Sequence, residues 1–180
     1  RTGFVSIVSH EFRTPLGVIL SAAENLDSYL ERLKPEQRQQ QLEHIIQATR
    51  HMGNLMEEVL LLGRAEGGKL EFKPMPMDLT LFCKRIAGQV ESATAGRCPI
   101  HFRGRTDHQV LADENLLRHV LTNLLSNAVK YSPPEVPVEF SLKVQDGVAT
   151  FRVVDQGIGI PVGDQKQLFT AFHRGKNVGQ

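Results

Sequence analysis

The chain has 180 residues, 41% hydrophobic and 23% charged, and its 21 Lys and Arg against 20 Asp and Glu leave a net charge of +1. That composition excludes a disordered or fibrous polypeptide, and the balanced charge gives no support for direct nucleic-acid contact. The longest unbroken hydrophobic run is four residues, 59–62, where a membrane span needs about 20, so no membrane contact by this piece and a cytoplasmic location are expected.

The first 20 residues carry polar and charged groups throughout, unlike a signal peptide. Cys83 and Cys98 lack the Cys-x-x-Cys spacing of a zinc or redox pair and read as two reduced thiols. The ragged start and stop read as a fragment of something longer.

Val5, Val8, Phe12, Leu16, Ile19, Ala23, Leu26, Leu30 and Leu33 step by three or four, 28 residues in eight steps. That average of 3.5 is the heptad period of a coiled-coil-like bundle. Pro15 interrupts the rhythm and is expected to bend the helix. Lys34-Pro35-Glu36 marks a break, with Pro35 suited to the first turn of a second helix. Leu42, Ile45, Thr49, Met52, Met56, Val59 and Gly63 continue the three-four repeat. Two such helices make an antiparallel hairpin. A lone hairpin leaves half its apolar seam wet, so a homodimer through residues 1–66, a four-helix bundle with twofold symmetry, is expected.

Gly67-Gly68 and Pro74-Met75-Pro76 mark residues 67–77 as an interdomain linker. The pattern then alternates over 78–180. Asp78 is a helix N-cap for 79–95, and 99–103 and 109–112 are strand candidates. Asp113 caps another helix through Leu116, Leu117, Val120, Leu121, Leu124 and Ala128 to Tyr131. Residues 136–144 and 148–155 form a hairpin around Asp146-Gly147. The expected fold is therefore multidomain: an all-α hairpin followed by an α+β two-layer sandwich.

His10 lies two residues from both Val8 and Phe12, which at 100° per residue turns it away from the apolar stripe. Glu11 is adjacent and Thr14 sits one turn on. A neutral imidazole is a competent nucleophile near neutral pH, and a neighbouring carboxylate can hold one ring nitrogen and raise the basicity of the other. An ordinary exposed histidine on a bundle fits the spacing equally.

The string Ser9-His10-Glu11-Phe12-Arg13-Thr14-Pro15-Leu16 resembles the H-box of sensor histidine kinases, the dimerisation and phosphoacceptor element. The resemblance implies that His10 is the phosphorylated residue, Glu11 the base that orients it, and Thr14 the residue that helps remove phosphate from a partner receiver. His44, His51, His101 and His108 have no companions at useful spacing and read as surface or linker residues.

On the Asp113 helix, His119, Asn123, Asn127 and Lys130 share one face. Amide oxygens are hard ligands for Mg²⁺ and a lysine can meet a triphosphate; a solvated face is the alternative. The segment Asn123 to Tyr131, with Asn127-Ala128-Val129-Lys130-Tyr131 at its end, is similar to the N-box of the GHKL ATP-binding superfamily. That similarity implies Asn127 for Mg²⁺ and phosphates, Lys130 and Asn123 for phosphates, and Tyr131 for packing beside the nucleotide.

Asp155-Gln156-Gly157-Ile158-Gly159 follows a strand, and glycines at alternate positions allow close backbone approach to a ligand, although a plain turn has the same composition. After an N-box it resembles the G1-box, implying that Asp155 reads adenine with Gly157 and Gly159 shaping the loop. Leu168-Phe169-Thr170-Ala171-Phe172-His173-Arg174 resembles the F-box, implying that Phe172 anchors a lid and Arg174 lies near the γ-phosphate. The family's G2-box would follow, and the sequence reads as truncated before it.

The resemblance implies an ATP- and Mg²⁺-dependent protein-histidine autokinase that relays the phosphoryl group from His10 to an aspartate of a response-regulator receiver, with a receiver phosphatase activity. A hydrolytic GHKL ATPase is the first alternative. Those relatives carry a water-activating glutamate at the place of Asn123, an amide that cannot act as a base. A non-catalytic dimeric scaffold is the other.

Overall fold

The computed structural model describes residues 2–166 and 168, with the side chains of residues 2–5 and 7 left aside. The chain divides into two compact units, residues 1–71 and 72–180.

The first unit is a helical hairpin of α1 (Thr2–Tyr29) and α2 (Pro35–Glu66) packed together, about 42 and 48 Å long at 1.5 Å per residue. Pro15 lies inside α1, buried, and the helix runs through it unbroken. The turn closes locally. The backbone amides of Arg32 and Leu33 donate to the Tyr29 carbonyl at 2.9 and 3.0 Å, and the Lys34 amide donates to Gln37 Oε1 at 2.9 Å with Pro35 in the first turn of α2. At the far end Gly68 takes φ +63°. Its amide donates to Ala65 O and the Lys69 amide to Arg64 O at 3.2 and 2.8 Å. Those two bonds form the paired closure that satisfies a helix's last carbonyls around a left-handed glycine.

Half of the expected seam holds, with Ile19, Leu26, Ile45, Met52 and Val59 turned inward and half-buried, while its alternate members shift by one position. Pro15, Ala22, Ala48 and Leu55 are buried, while Leu16, Leu42 and Met56 are about half exposed. Apolar neighbours come in pairs, one inward and one outward: Ile19 and Leu20, Ile45 and Ile46, Leu55 and Met56, Val59 and Leu60. Each helix therefore carries two adjacent stripes, and a three-four spacing read from sequence fits either.

The second unit is a two-layer α+β fold. β1 (Met75–Met77) pairs antiparallel with β3 (Val110–Ala112), Met75 opposite Ala112. β2 (Ile100–Arg103) runs parallel to β4 (Val138–Gln145), which pairs antiparallel with β5 (Val148–Val154), giving the order β2-β4-β5. Asp146 and Gly147 have φ +53° and +76°, the positive pair that a two-residue hairpin turn demands. α3 (Leu79–Ala93) and α4 (Glu114–Tyr131) supply the second layer, and α5 (Val162–Gln165) is a single turn.

Asp78 caps α3 by accepting from the Leu81 amide at 2.9 Å. Leu79, Phe82, Ile86, Leu121, Leu125, Val129, Val138 and Phe140 fill the core, each almost fully buried. Burying one such side chain contributes about 1.5–3 kcal/mol. Phe102 and Phe140, opposite each other across β2 and β4, meet as a tilted ring pair, 5.1 Å between centroids and 50° between planes.

Further sequence expectations change. Residues 75–77, read as linker, form a strand of the second unit. Val120 and Leu124, named among the apolar positions of the Asp113 helix, are about half exposed, because α4 buries Leu121, Leu125, Ala128 and Val129 instead. The strand expected over 99–103 begins at Ile100.

Candidate functional site

In the hairpin, the His10 side chain is 72% exposed and its Nδ1 lies 3.8 Å from Glu11 Oε1, whose side chain is 20% exposed. A carboxylate on a mostly buried side chain thus lies beside one ring nitrogen of a mostly exposed imidazole, beyond hydrogen-bond distance as it stands. Closing to a hydrogen bond would hold the proton on Nδ1 and leave the lone pair on Nε2. The Thr14 hydroxyl donates to the His10 carbonyl at 3.5 Å. It is folded back on its own helix and must rotate about χ1 to meet anything bound at the ring. One feature was invisible in sequence. Thr14, Gly17, Val18 and Ser21 of α1 and His44 of α2 line an open groove of about 620 Å³. The small residues at 17 and 21, one and two turns past Thr14, are its only sequence trace.

In the second unit, α4 carries Asn123, Asn127 and Lys130 on an exposed face, with Tyr131 half-buried at its end. Asp113 begins the helix: Oδ1 accepts from the amides of Asn115 and Leu116 at 3.0 and 3.1 Å, and Oδ2 accepts from the Lys73 amide at 2.8 Å. Arg97 holds the other end, donating from Nε to Val129 O at 3.3 Å and from Nη2 to Ser132 O at 3.1 Å. The two carbonyls flank Lys130 and Tyr131, so one guanidinium fixes the turn that presents both. The Lys130 ammonium lies 5.2 Å from the Tyr131 ring centre, a cation–π contact.

The loop after β5 reaches that same turn. Asp155, an exposed residue, accepts through Oδ1 from the Gly157 amide at 2.8 Å, an Asx turn that commits one carboxylate oxygen. A Cβ built on Gly157 would meet the Tyr131 carbonyl oxygen and Asp155 Oδ1, both at 2.8 Å. Only glycine allows this approach, and it brings Asp155 beside the helix end that carries Lys130 and Tyr131. Gly159 supplies a φ of +68° two residues on. Phe172 and Arg174 lie outside the described residues.

The chemistry of the donor set bears on a metal. Among the described residues no cluster of three or more His, Cys, Asp or Glu could hold one. An Asn oxygen alone is a weak site, but Mg²⁺ typically takes one or two protein ligands and completes its shell with phosphates and water. Asn127 fits that mode and no other.

Residues 1–68 match the His Kinase A (phospho-acceptor) domain and residues 112–180 the histidine kinase-, DNA gyrase B-, and HSP90-like ATPase. The circadian input-output histidine kinase CikA of Synechococcus elongatus is 30% identical over 95% of this chain and 23% of its own length. The sensor-like histidine kinase SenX3 of Mycolicibacterium smegmatis is 29% identical over 97% of the chain and 45% of its own length. The chain thus spans less than half of either relative. Full-length ShkA in complex with AMPPNP superposes with a TM-score of 0.62 at 25% identity, covering 96% of this chain and 37% of that one. Histidine kinase ThkA in complex with response regulator protein TrrA gives 0.69 at 18% identity, covering 96% and 50%.

Proposed function

The chain carries the catalytic core of a sensor histidine kinase, a phospho-acceptor hairpin followed by an ATPase domain, and from that premise we propose that it moves the γ-phosphoryl group of ATP to His10 and then to an aspartate of a receiver protein. The observation that carries this is the exposed His10 ring with Nδ1 turned to Glu11. Nε2 attacks the γ-phosphorus, the bond to the β–γ bridging oxygen breaks, and ADP leaves with its electron pair. The proton stays on Nδ1, where Glu11 offsets the positive charge the ring gains. In the second step a receiver carboxylate attacks phosphorus, the N–P bond breaks and the imidazole recovers its lone pair.

Asp155 presents Oδ2 to the exocyclic amine of adenine, Tyr131 packs beside the base, and Asn123, Asn127 and Lys130 meet the phosphates. Phosphoryl transfer depends chiefly on in-line positioning and charge neutralisation, and these groups supply both. Mg²⁺ carried in with ATP would add charge neutralisation at the phosphates, with Asn127 as its protein ligand. ShkA binding an ATP analogue supports the nucleotide assignment.

The outward stripe of Leu16, Leu20, Leu30, Leu42, Ile46, Met56 and Leu60, each 46–60% exposed, supports a homodimer through the hairpin, since an apolar face of that length marks an interaction surface. The groove beside Thr14 gives the receiver a place to seat within reach of His10, and Thr14, released from the His10 carbonyl, positions water during dephosphorylation. ThkA's complex with a response regulator supports that partner class.

The test is incubation of the full-length protein with γ-labelled ATP. Acid-labile label on the wild type and none on His10→Gln is the expected result. Label retained on His10→Gln refutes the assignment; release of free phosphate without labelled protein points to a hydrolytic ATPase instead.

A further inference from the structure

The last turn of α4 lacks the hydrogen bonds that a helix normally gives itself. An α-helical carbonyl accepts from the amide four residues on. For Val129 and Lys130 those residues are Pro133 and Pro134, which have no amide hydrogen. For Tyr131 it is Glu135, whose amide donates to the Arg97 carbonyl at 2.8 Å instead. Three successive carbonyls therefore receive nothing from the chain that follows them, and a helix end in that state needs donors from elsewhere.

Arg97 brings them from 32 residues away. Its Nε donates to the Val129 carbonyl at 3.3 Å and its Nη2 to the Ser132 carbonyl at 3.1 Å, while the neighbouring Cys98 Sγ donates to Val129 O at 3.7 Å. The arginine is itself pinned at both backbone groups, since its amide donates to the Thr94 carbonyl at 3.0 Å and its carbonyl takes Glu135. A planar guanidinium fixes the angle between two acceptors, which a point-like ammonium does not. Between those acceptors lies the Tyr131 carbonyl. A Cβ on Gly157 would meet its oxygen at 2.8 Å and its carbon at 3.0 Å, and the Gly157 amide is bonded in turn to Asp155 Oδ1. One line of contacts thus runs from Arg97 through the end of α4 and Gly157 to the Asp155 carboxylate.

We propose that Arg97 is a positioning residue for base selection: by bracketing the Tyr131 carbonyl it sets the seat of the Gly157 loop, and so the alignment of Asp155 with the exocyclic amine of adenine. The inference deepens the assignment of Asp155 to adenine and rests on it. A hydrogen bond to a charged group is worth roughly tenfold or more in affinity, but it weakens steeply once misaligned. Losing the bracket therefore removes the preference for the amine, whereas any effect on the phosphate contacts falls equally on nucleotides with and without it.

The probe is purine riboside triphosphate, which is ATP without the exocyclic amine, titrated calorimetrically into the full-length protein beside ATP itself. The wild type is expected to bind ATP about tenfold more tightly than the probe. In Arg97→Met, which leaves both carbonyls without the guanidinium, that preference is expected to shrink to about twofold or less. Arg97→Lys keeps a cation but not the fork, and its preference is expected to lie between; it decides the matter if circular dichroism shows that Arg97→Met does not fold. The full wild-type preference retained in the folded variants overturns the proposal. So does an equal fall in affinity for ATP and probe, which would make Arg97 a support of the fold alone. A wild type that binds ATP and probe alike overturns the reading of Asp155 and this inference with it, an outcome distinct from a selective wild type with equally selective variants.

Discussion

Adding one methyl group at Gly157 should separate nucleotide binding from the rest of the molecule. The Cβ of Gly157→Ala would lie 2.8 Å from the Tyr131 carbonyl oxygen and from Asp155 Oδ1. Both separations are 0.2 Å inside the 3.0 Å limit for real Cβ atoms and 0.6 Å short of the 3.4 Å at which ordinary contact begins. Asp155 Oδ1 can swing away, though it then gives up the Gly157 amide. The Tyr131 carbonyl is backbone at the end of α4, held by Arg97 on both sides, and cannot yield cheaply. Overpacking of this kind costs about 1–3 kcal/mol. Relief comes most easily by lifting the loop from the helix, which carries Asp155 off its position beside Tyr131. If that cost falls on the bound state, ATP affinity drops about 5- to 150-fold, at 1.4 kcal/mol per tenfold. Titration with a fluorescent ATP analogue reads the affinity. Circular dichroism of the same sample checks that helix and sheet content are unchanged. Wild-type affinity in Gly157→Ala would show that the Asp155 loop does not contact nucleotide in the way described.

Leu20, 60% exposed on the outward stripe of α1, is expected to be buried in the dimer; Leu20→Glu should shift sedimentation toward monomer at micromolar concentration while helical content holds. Thr14→Ala should slow dephosphorylation of a phosphorylated receiver tenfold or more, within the range for a positioned catalytic group, and leave His10 labelling near wild type; equal dephosphorylation rates remove Thr14 from the mechanism. Cys83 is fully buried, and burial first and Asp78 second push its thiol up to about 12. It therefore stays protonated at pH 8, and iodoacetamide should label it only after denaturation; rapid labelling of the folded protein contradicts the packing of α3.

Local signals in the sequence located most elements because their causes are local. Pro35 and Gly67-Gly68 bracket α2, Asp78 and Asp113 cap their helices, and Asp146-Gly147 turns β4 into β5. His10 could be placed on the wet face of α1 for the same reason: its orientation follows from 100° per residue and nothing else. β1 was missed because Pro74-Met75-Pro76 reads as a breaker, yet proline is tolerated at an edge where its missing donor is not needed. The burial of Ala48 and Leu55 in place of Thr49 and Met56 depends on which of two apolar stripes the partner helix chooses, and that choice is tertiary. Val120 and Leu124 misled similarly, since leucine content alone does not say how α4 is rolled on the sheet. Nor does the chain order reveal that Gly157 rests on the Tyr131 carbonyl, or that Lys73 reaches Asp113. Those contacts join residues 26 and 40 apart and exist only once the second unit has folded.

The paired apolar stripes of the hairpin have a mechanical consequence. Ile19 and Leu20, or Val59 and Leu60, sit 100° apart around their helix, so a helix can roll part of that arc and still keep oil against oil on both sides. Such a rod resists bending but yields to torsion. His10 rides on its rim: at a radius of about 5–6 Å, a 20° roll sweeps the ring by about 2 Å, comparable to the tolerance of an in-line attack. Under the proposed function, a twist delivered far up the helix would open or close phosphotransfer at the imidazole without disturbing a single hydrogen bond of the backbone.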